Sequence, residues 1–325
     1  MSDIYRIRAA AARARGHVRR TPLLSSAALD ARAGRRIWVK AECLQVTGSF
    51  KARGAWAAVS ALAPEVRARG VIAFSSGNHA QGVAWAAAAH GAPAVILMPQ
   101  DAPAVKIEGT RALGAEVVLY DRLTQDRAAL AVGIGGDRGL TLIPPYDHPE
   151  VIAGQGTTGL EIVADAAEAG IAAAEVLVCC GGGGLASGIA LALEAEAPAF
   201  RVRTAEPAGF DDMARSLASG DRVSNPAATG SICDAILTPR PGAMTFPILR
   251  ERAGPGLAVS DDEALAAMSL AFSHLHIVLE PGGAVALAAA LFRGDELATG
   301  DVIAVASGGN VESALFAEAI ARYPA

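Results

Sequence analysis

The chain lacks what would tie it to a membrane, a nucleic acid or an oxidising compartment. No apolar run reaches the roughly 18 residues of a membrane span, and no apolar signal-peptide core follows Met1. Positive charge is not in excess. Lys and Arg number 28 against 33 Asp and Glu, a net charge of -5, so the basic footprint of a nucleic-acid binder is missing. The four cysteines, Cys43, Cys179, Cys180 and Cys233, follow neither a zinc spacing nor a disulfide framework, and a reducing cytoplasm is the expected location. Internal repeats and low-complexity linkers are also missing. What remains is a globular composition, 52% hydrophobic and 19% charged over 325 residues, long enough for two lobes with a large core. The arginines from Arg6 to Arg20 bear a faint likeness to a transit peptide, but a solvated helix from Asp3 to about Arg15 explains them better.

Short apolar runs alternate with helical patterns. Strands are expected at Ile37–Lys40, Val71–Ser75, Ala94–Met98, Glu116–Leu119, Val176–Cys180, Val202–Ala205 and Val302–Ala306. Helices are expected between them, among others at Gly54–Leu62, Ala80–His90, Val151–Ala169, Leu185–Glu196 and Asp261–Leu275. Apolar strands separated by helices predict parallel sheets covered on both faces. Residues Val71 to about Leu142 can stand as a smaller lobe, with sites at the carboxyl ends of strands. Thr238–Gly242 reads as a surface loop.

Five motifs carry chemistry. Gly181-Gly182-Gly183-Gly184 follows a buried strand and precedes a helix, where converging amides and the helix dipole suit a phosphate dianion. A dinucleotide site competes, but no acidic residue sits at a strand end about 20 residues on, since Thr204 and Glu206 come late. Lys51, after Gly48-Ser49-Phe50, stands at a helix start; a surface lysine is the bland reading, a desolvated nucleophile the sharper one. A lysine able to form a Schiff base and a glycine cradle for phosphate together are what a pyridoxal-phosphate enzyme needs. Ser75-Ser76-Gly77-Asn78-His79 follows another strand; Asn78 can cap the next helix, and the turn's amides suit a substrate carboxylate. Ser307 follows the last strand, where a neutral hydroxyl can meet a pyridine nitrogen and favour β-elimination over transamination. Glu206, Asp211 and Asp212, three carboxylates within seven residues on a loop after a strand, can bind a hard cation together with a backbone carbonyl, or Asp211 and Asp212 can simply open a helix.

These residues together resemble the fold-type II pyridoxal-phosphate enzymes, the serine/threonine dehydratase and serine racemase family. The similarity runs from Arg20-Thr21-Pro22-Leu23 and Lys40-Ala41-Glu42 through Thr47–Ala55, Ser75–Gly82, Val151–Thr157, the glycine loop and Glu280-Pro281-Gly282-Gly283 to Ser307–Val311. It implies a tryptophan synthase β-like α/β fold of two lobes, each with a helix-covered, mostly parallel sheet. Residues 1–68 and 148–325 would form a discontinuous cofactor-binding domain and 69–147 a small domain. It also implies that Lys51 carries pyridoxal 5'-phosphate, Phe50 packs beside its ring, Asn78 bonds the ring's 3-hydroxyl, Gly181 to Gly184 hold the phosphate and Ser307 meets the ring nitrogen. Ser75, Ser76, Gly77, Asn78 and His79 would receive the substrate carboxylate, and Glu206, Phe210 and Asp212 a magnesium or calcium ion.

The implied reaction is dehydration and deamination of L-threonine or L-serine to a 2-oxo acid and ammonia, with Lys51 as base. Ser76 stands where racemases of the family have a second base, so serine racemisation is an alternative, although Pro144-Pro145-Tyr146-Asp147 lacks the His and Asn of the racemase pattern. Dehydration of 3-hydroxyaspartate is another, requiring a cation for the distal carboxylate that the sequence does not place. From other classes, a nucleotide-binding oxidoreductase and a non-catalytic cofactor binder stay open. The resemblance further implies a homodimer of the short, catabolic type, without an effector domain or feedback inhibition by isoleucine.

Overall fold

The computed structural model describes residues 3–75, 77–102 and 104–324, Val105 by its backbone alone. These residues hold the strands β1 (Leu23–Ser25), β2 (Ile37–Lys40), β3 (Val71–Phe74), β4 (Ala94–Pro99), β5 (Glu116–Tyr120), β6 (Thr141–Leu142), β7 (Ala174–Cys179), β8 (Arg201–Pro207), β9 (Leu257–Val259) and β10 (Asp301–Val305). They form two sheets, in the orders β1-β2-β10-β7-β8-β9 and β5-β4-β3-β6. Only the β1–β2 pair is antiparallel. The protein is thus α/β, with two lobes built on mostly parallel sheets, as expected.

Alternate residues of each strand enter different cores. In the larger sheet Leu177, Val302 and Ala304 join one apolar cluster, while Val176, Val178, Ile303 and Val305 join another on the opposite face. The smaller sheet divides likewise, Ala73 and Ile96 against Ile72 and Leu97. Period-two side-chain alternation with both faces covered is what makes these strands apolar throughout.

Expected strand ends move by a residue or two, and β1, β6 and β9, three residues or fewer each, escape the pattern. The N-terminal helix Asp3–Ala14 is not solvated along its length. Ile7, Ala10 and Ala14 are buried, Arg6 and Arg13 both pair with Glu150, and Arg8 pairs with Glu196. Its arginines dock the helix onto the larger lobe.

The helix Lys51–Ser60 is fixed from behind by buried charges. Lys40 and Glu42 are 0% exposed and Arg53 1%. Arg53 Nε meets Glu42 at 2.7 Å and Nη1 meets Glu161 at 2.7 Å, while Lys40 Nζ lies 2.8 Å from Glu161 and 2.7 Å from Asp165. Burial alone would raise the Glu42 carboxyl, but Arg53, Thr21 and Lys40 hold it below its usual range.

Helix Pro149–Glu168 crosses Lys51–Ser60 on one side and Gly184–Glu196 on the other, at glycines. A β-carbon on Gly154 would lie 2.5 Å from Arg53 O, and one on Gly188 2.5 Å from Gly156 N, leaving backbone against backbone. Gly188→Ala should therefore lower stability by about 1–3 kcal/mol through overpacking, seen as a lower midpoint in urea or heat. An unchanged midpoint would refute this account of the crossing.

Candidate active site

Three strand ends and one loop build a single cleft. β3 leads to Ser75 and Gly77, where Ser75 Oγ accepts from Gly77 N at 3.2 Å. β7 leads into the glycine loop, Gly183 taking φ 91° as the N-cap of Gly184–Glu196. β10 leads to Ser307-Gly308-Gly309-Asn310. The loop bearing Lys51 is strapped to this last turn: Phe50 N donates to Ser307 O at 3.1 Å, Gly309 N to Gly48 O at 2.9 Å, and Asn310 Nδ2 to Thr47 O at 2.8 Å. Such convergence of strand carboxyl ends is where open α/β sheets place ligands.

Lys51, Phe50, Ser75, Gly77, Asn78, His79, Gly181 to Gly184 and Ser307 all line this cleft. Ser76 lies outside the described residues. Lys51 opens its helix, donates from Nζ to Pro145 O at 2.9 Å, and stands 5.1 Å from the centre of the Phe50 ring. Burial pushes its amine down to about 8, with Glu280 opposing. Arg53 faces the other way, into the buried ion pairs, so desolvation and not a neighbouring cation activates Lys51. His79 Nε2 is bonded to Ile143 O at 2.8 Å, and burial, then Lys51, bring the ring down to about 3. It is a neutral wall residue.

Asn78 does not cap its helix; Gly77 occupies that position. The Asn78 carboxamide is drawn instead to Glu280 Oε1, 2.6 Å away, and to Asn310 Nδ2, at 2.7 Å. Two partners in the cleft outweigh one amide of its own helix.

The glycine loop is shaped for a ligand. Among the described residues no oxygen accepts a hydrogen bond from the amides of Gly181, Gly182, Gly183 or Gly184. A side chain on Gly182 would collide with the Tyr146 ring, and one on Gly183 would lie 2.8 Å from Met213 and 2.9 Å from Thr245. Unpaired amides at a helix start, with room kept by glycine, suit a phosphate. With the desolvated amine of Lys51 across the cleft, the residues fit pyridoxal phosphate.

Sequence reasoning missed other cleft residues. Glu280 was only part of a motif, and Tyr146 only an absence of histidine and asparagine. Lys106, Arg127 and Asp234 gave no signal, being scattered over separate elements. Thr238, expected in a surface loop, lines the cleft, and Gly242 in the same loop is buried.

Glu206, Phe210 and Asp212 do not line the cleft. Glu206 is the penultimate residue of β8, and its oxygens accept from Met213 N at 3.0 Å and Ala214 N at 2.8 Å, so it, and not Asp211 or Asp212, satisfies the helix Asp212–Ser219. Asp212 Oδ1 accepts from Asn225 Nδ2 at 2.6 Å, while Oδ2 is buried without a partner. Burial lifts Glu206 well above the carboxylate range and Asp212 to about 6. Among the described residues no three His, Cys, Asp or Glu side chains form a metal cluster. No helix there is long and apolar enough to cross a membrane.

The family model for pyridoxal-phosphate dependent enzymes matches residues 14–308. The L-threo-3-hydroxyaspartate ammonia-lyase of Saccharomyces cerevisiae is 40% identical over 310 residues, 95% of this chain and 93% of its own. The crystal structure of the T.th. threonine deaminase superposes with a TM-score of 0.89 at 43% identity, covering 95% of this chain and 98% of that one. Maize serine racemase gives 0.92 at 36% identity, covering 99% and 97%. The chain belongs to the fold-type II branch of the pyridoxal-phosphate dependent enzymes.

Proposed function

We propose that the protein is an ammonia-lyase acting on a β-hydroxy amino acid with a second carboxylate, namely 3-hydroxyaspartate. The Cα proton and the β-hydroxyl leave as water, a water returns as the resulting imine hydrolyses, and the products are a 2-oxo acid and ammonia. The observation that carries the substrate choice is the pair of cations on the cleft wall, Lys106 and Arg127. The Arg127 guanidinium stands 5.4 Å from the centre of the Phe74 ring, beside Ser75, and makes no ion pair among the described residues. A threonine or serine side chain would leave the Arg127 charge unused; a distal carboxylate would engage it. The yeast relative's name points the same way.

Bound pyridoxal phosphate supplies an electron sink for the substrate's α-carbon. The amides of Gly181 to Gly184 would hold its phosphate, Phe50 and Asn78 its ring, and Ser307, a neutral partner, its nitrogen. Ser75 and the amides at Gly77, Asn78 and His79 would receive the α-carboxylate. Lys51 acts as the base: with a pKa of about 8, roughly a tenth of the amine is neutral at pH 7, far more than for an exposed lysine. The racemase reading depends on Ser76 and rests on the sequence alone.

Glu206, Asp212 and the Phe210 carbonyl are read as a divalent-cation site, supported by the buried, unpartnered Asp212 Oδ2. All four cysteines are free and buried, which supports the cytoplasmic location. We take the active unit to be a homodimer.

The deciding assay supplies L-threo-3-hydroxyaspartate, L-threonine and L-serine, following 2-oxo acid and enantiomers separately. Hydroxyaspartate should be preferred, and Arg127→Leu should raise its KM tenfold or more, from loss of a charge-assisted contact, with little change for threonine. Equal losses on both substrates would remove the specificity role, and D-serine formation exceeding 2-oxo acid would favour the racemase. Lys51→Ala should abolish ammonia release. Cofactor uptake by apoprotein, followed by visible absorption, should speed up as pH rises towards about 8 and then level off, because Lys51 must lose its proton; a rate still climbing above pH 10 would contradict this. Magnesium should raise the thermal midpoint saturably, and Asp212→Asn should remove that rise.

A further inference from the structure

Glu280 is the N-cap residue of helix Pro281–Phe292, yet its side chain makes no capping bond. It is 6% exposed and turns into the cleft, where Asn78 Nδ2 donates to Oε1 at 2.6 Å. On the other side of the same carboxamide, Asn310 Nδ2 donates to Asn78 Oδ1 at 2.7 Å and also to Thr47 O at 2.8 Å. Asn78 follows β3 in the smaller sheet, whereas Asn310 follows β10 in the larger one and Glu280 opens a helix packed on it.

A carboxamide offers two N–H donors and one acceptor oxygen. Here a carboxylate takes one donor and an amide donor takes the oxygen. Rotating the group by half a turn would set oxygen against carboxylate and N–H against N–H, so only one orientation is satisfied. One Nδ2 hydrogen is then left over. The surrounding backbone makes room for both partners: a β-carbon on Gly308 would strike Glu280 Oε1, and one on Gly48 would lie 2.5 Å from Asn310 Oδ1.

We propose that Glu280 and Asn310 are positioning residues for Asn78, fixing its carboxamide so that the remaining Nδ2 hydrogen is presented to the bound cofactor. Asn310 also polarises that donor, because a bond accepted at the amide oxygen draws charge from the amide nitrogen and strengthens its remaining N–H. Burial lifts the free Glu280 carboxyl to about 7 against the Asn78 bond, so this bond helps keep it ionised. The role rests on Asn78 facing the cofactor ring.

The test uses the holoenzyme and the variants N78A, E280A, E280Q, N310A and N78A/E280A. For each, the cofactor dissociation constant, the position of its visible absorption band and the thermal midpoint of cofactor-free protein are measured. E280A and N310A should weaken cofactor binding roughly tenfold or more, the scale of a hydrogen bond to a charged group, and should shift the band. E280Q, which keeps an acceptor oxygen, should recover most of the affinity. E280A should add little loss in the N78A background, since its effect passes through Asn78. Additive losses would overturn the proposal, as would variants that move only the thermal midpoint of the cofactor-free protein. If N78A itself changes neither affinity nor band, Asn78 does not face the cofactor, and the positioning role falls with that placement.

Discussion

The buried ion pairs behind Lys51 are the constraint on which the site depends. Arg53 belongs to the first turn of the helix that Lys51 opens, and its guanidinium spans Glu42 and Glu161 while almost wholly shielded from solvent. Charges buried this deeply are tolerated only when all are matched; removing one partner typically costs about 3–5 kcal/mol because the other is stranded. The network therefore admits little motion, and it reaches β2 through Lys40 and helix Pro149–Glu168 through Asp165. The Lys51 amine is held on a helix pinned through Arg53 by Glu42 and Glu161, while the amine itself lies in the cleft and, among the described residues, donates only to the Pro145 carbonyl. Rigidity behind and freedom in front suit the roles proposed for Lys51, holding a cofactor and moving a proton.

Much of the fold was legible because burial on both faces leaves a plain mark. β4 and β7 are apolar almost throughout, a pattern a strand can carry when neither of its faces meets water. What escaped was short. β6 is two residues long, and no periodicity can be read from two residues. β1 is an edge strand, antiparallel to β2, and its Leu23 and Leu24 are only half-buried. The N-terminal helix departs from expectation for a different reason: its arginines look solvated in sequence, but Glu150 and Glu196, which neutralise them, are distant along the chain.

The site divided along the same line. Lys51, Asn78, the glycine loop and Ser307 each sit in a local signature, a strand end or turn rich in small residues. Glycine there has a physical cause that the sequence displays without naming, since the Tyr146 ring and Gly308's neighbour Glu280 leave no space for a β-carbon. Arg127 and Lys106 carry no such signature. Arg127 opens one helix and Lys106 lies near the start of another, and the order β5-β4-β3-β6 folds both towards the end of β3. Residues brought to a site by topology alone are invisible until the strand order is known.

Charge balance then connects substrate choice to the rest of the cleft. Lys51 and Glu280 are both desolvated, and burial pushes each towards its neutral form, the amine down to about 8 and the carboxyl up to about 7. On the proposed reading the glycine loop would meet the phosphate with amides and a helix terminus, so the cofactor's anion would consume no side-chain cation. Lys106 is shared with the largely exposed Asp234 at 3.6 Å, too long and too wet a pair to neutralise it fully. Arg127, exposed on the cleft wall and without an ion pair among the described residues, is a positive charge left for a substrate. A monocarboxylic amino acid would place its β-substituent against that charge with nothing to offer it, whereas a dicarboxylic one restores the balance. The proposed selectivity would thus follow from where the cleft spends side-chain cations and where it uses backbone instead.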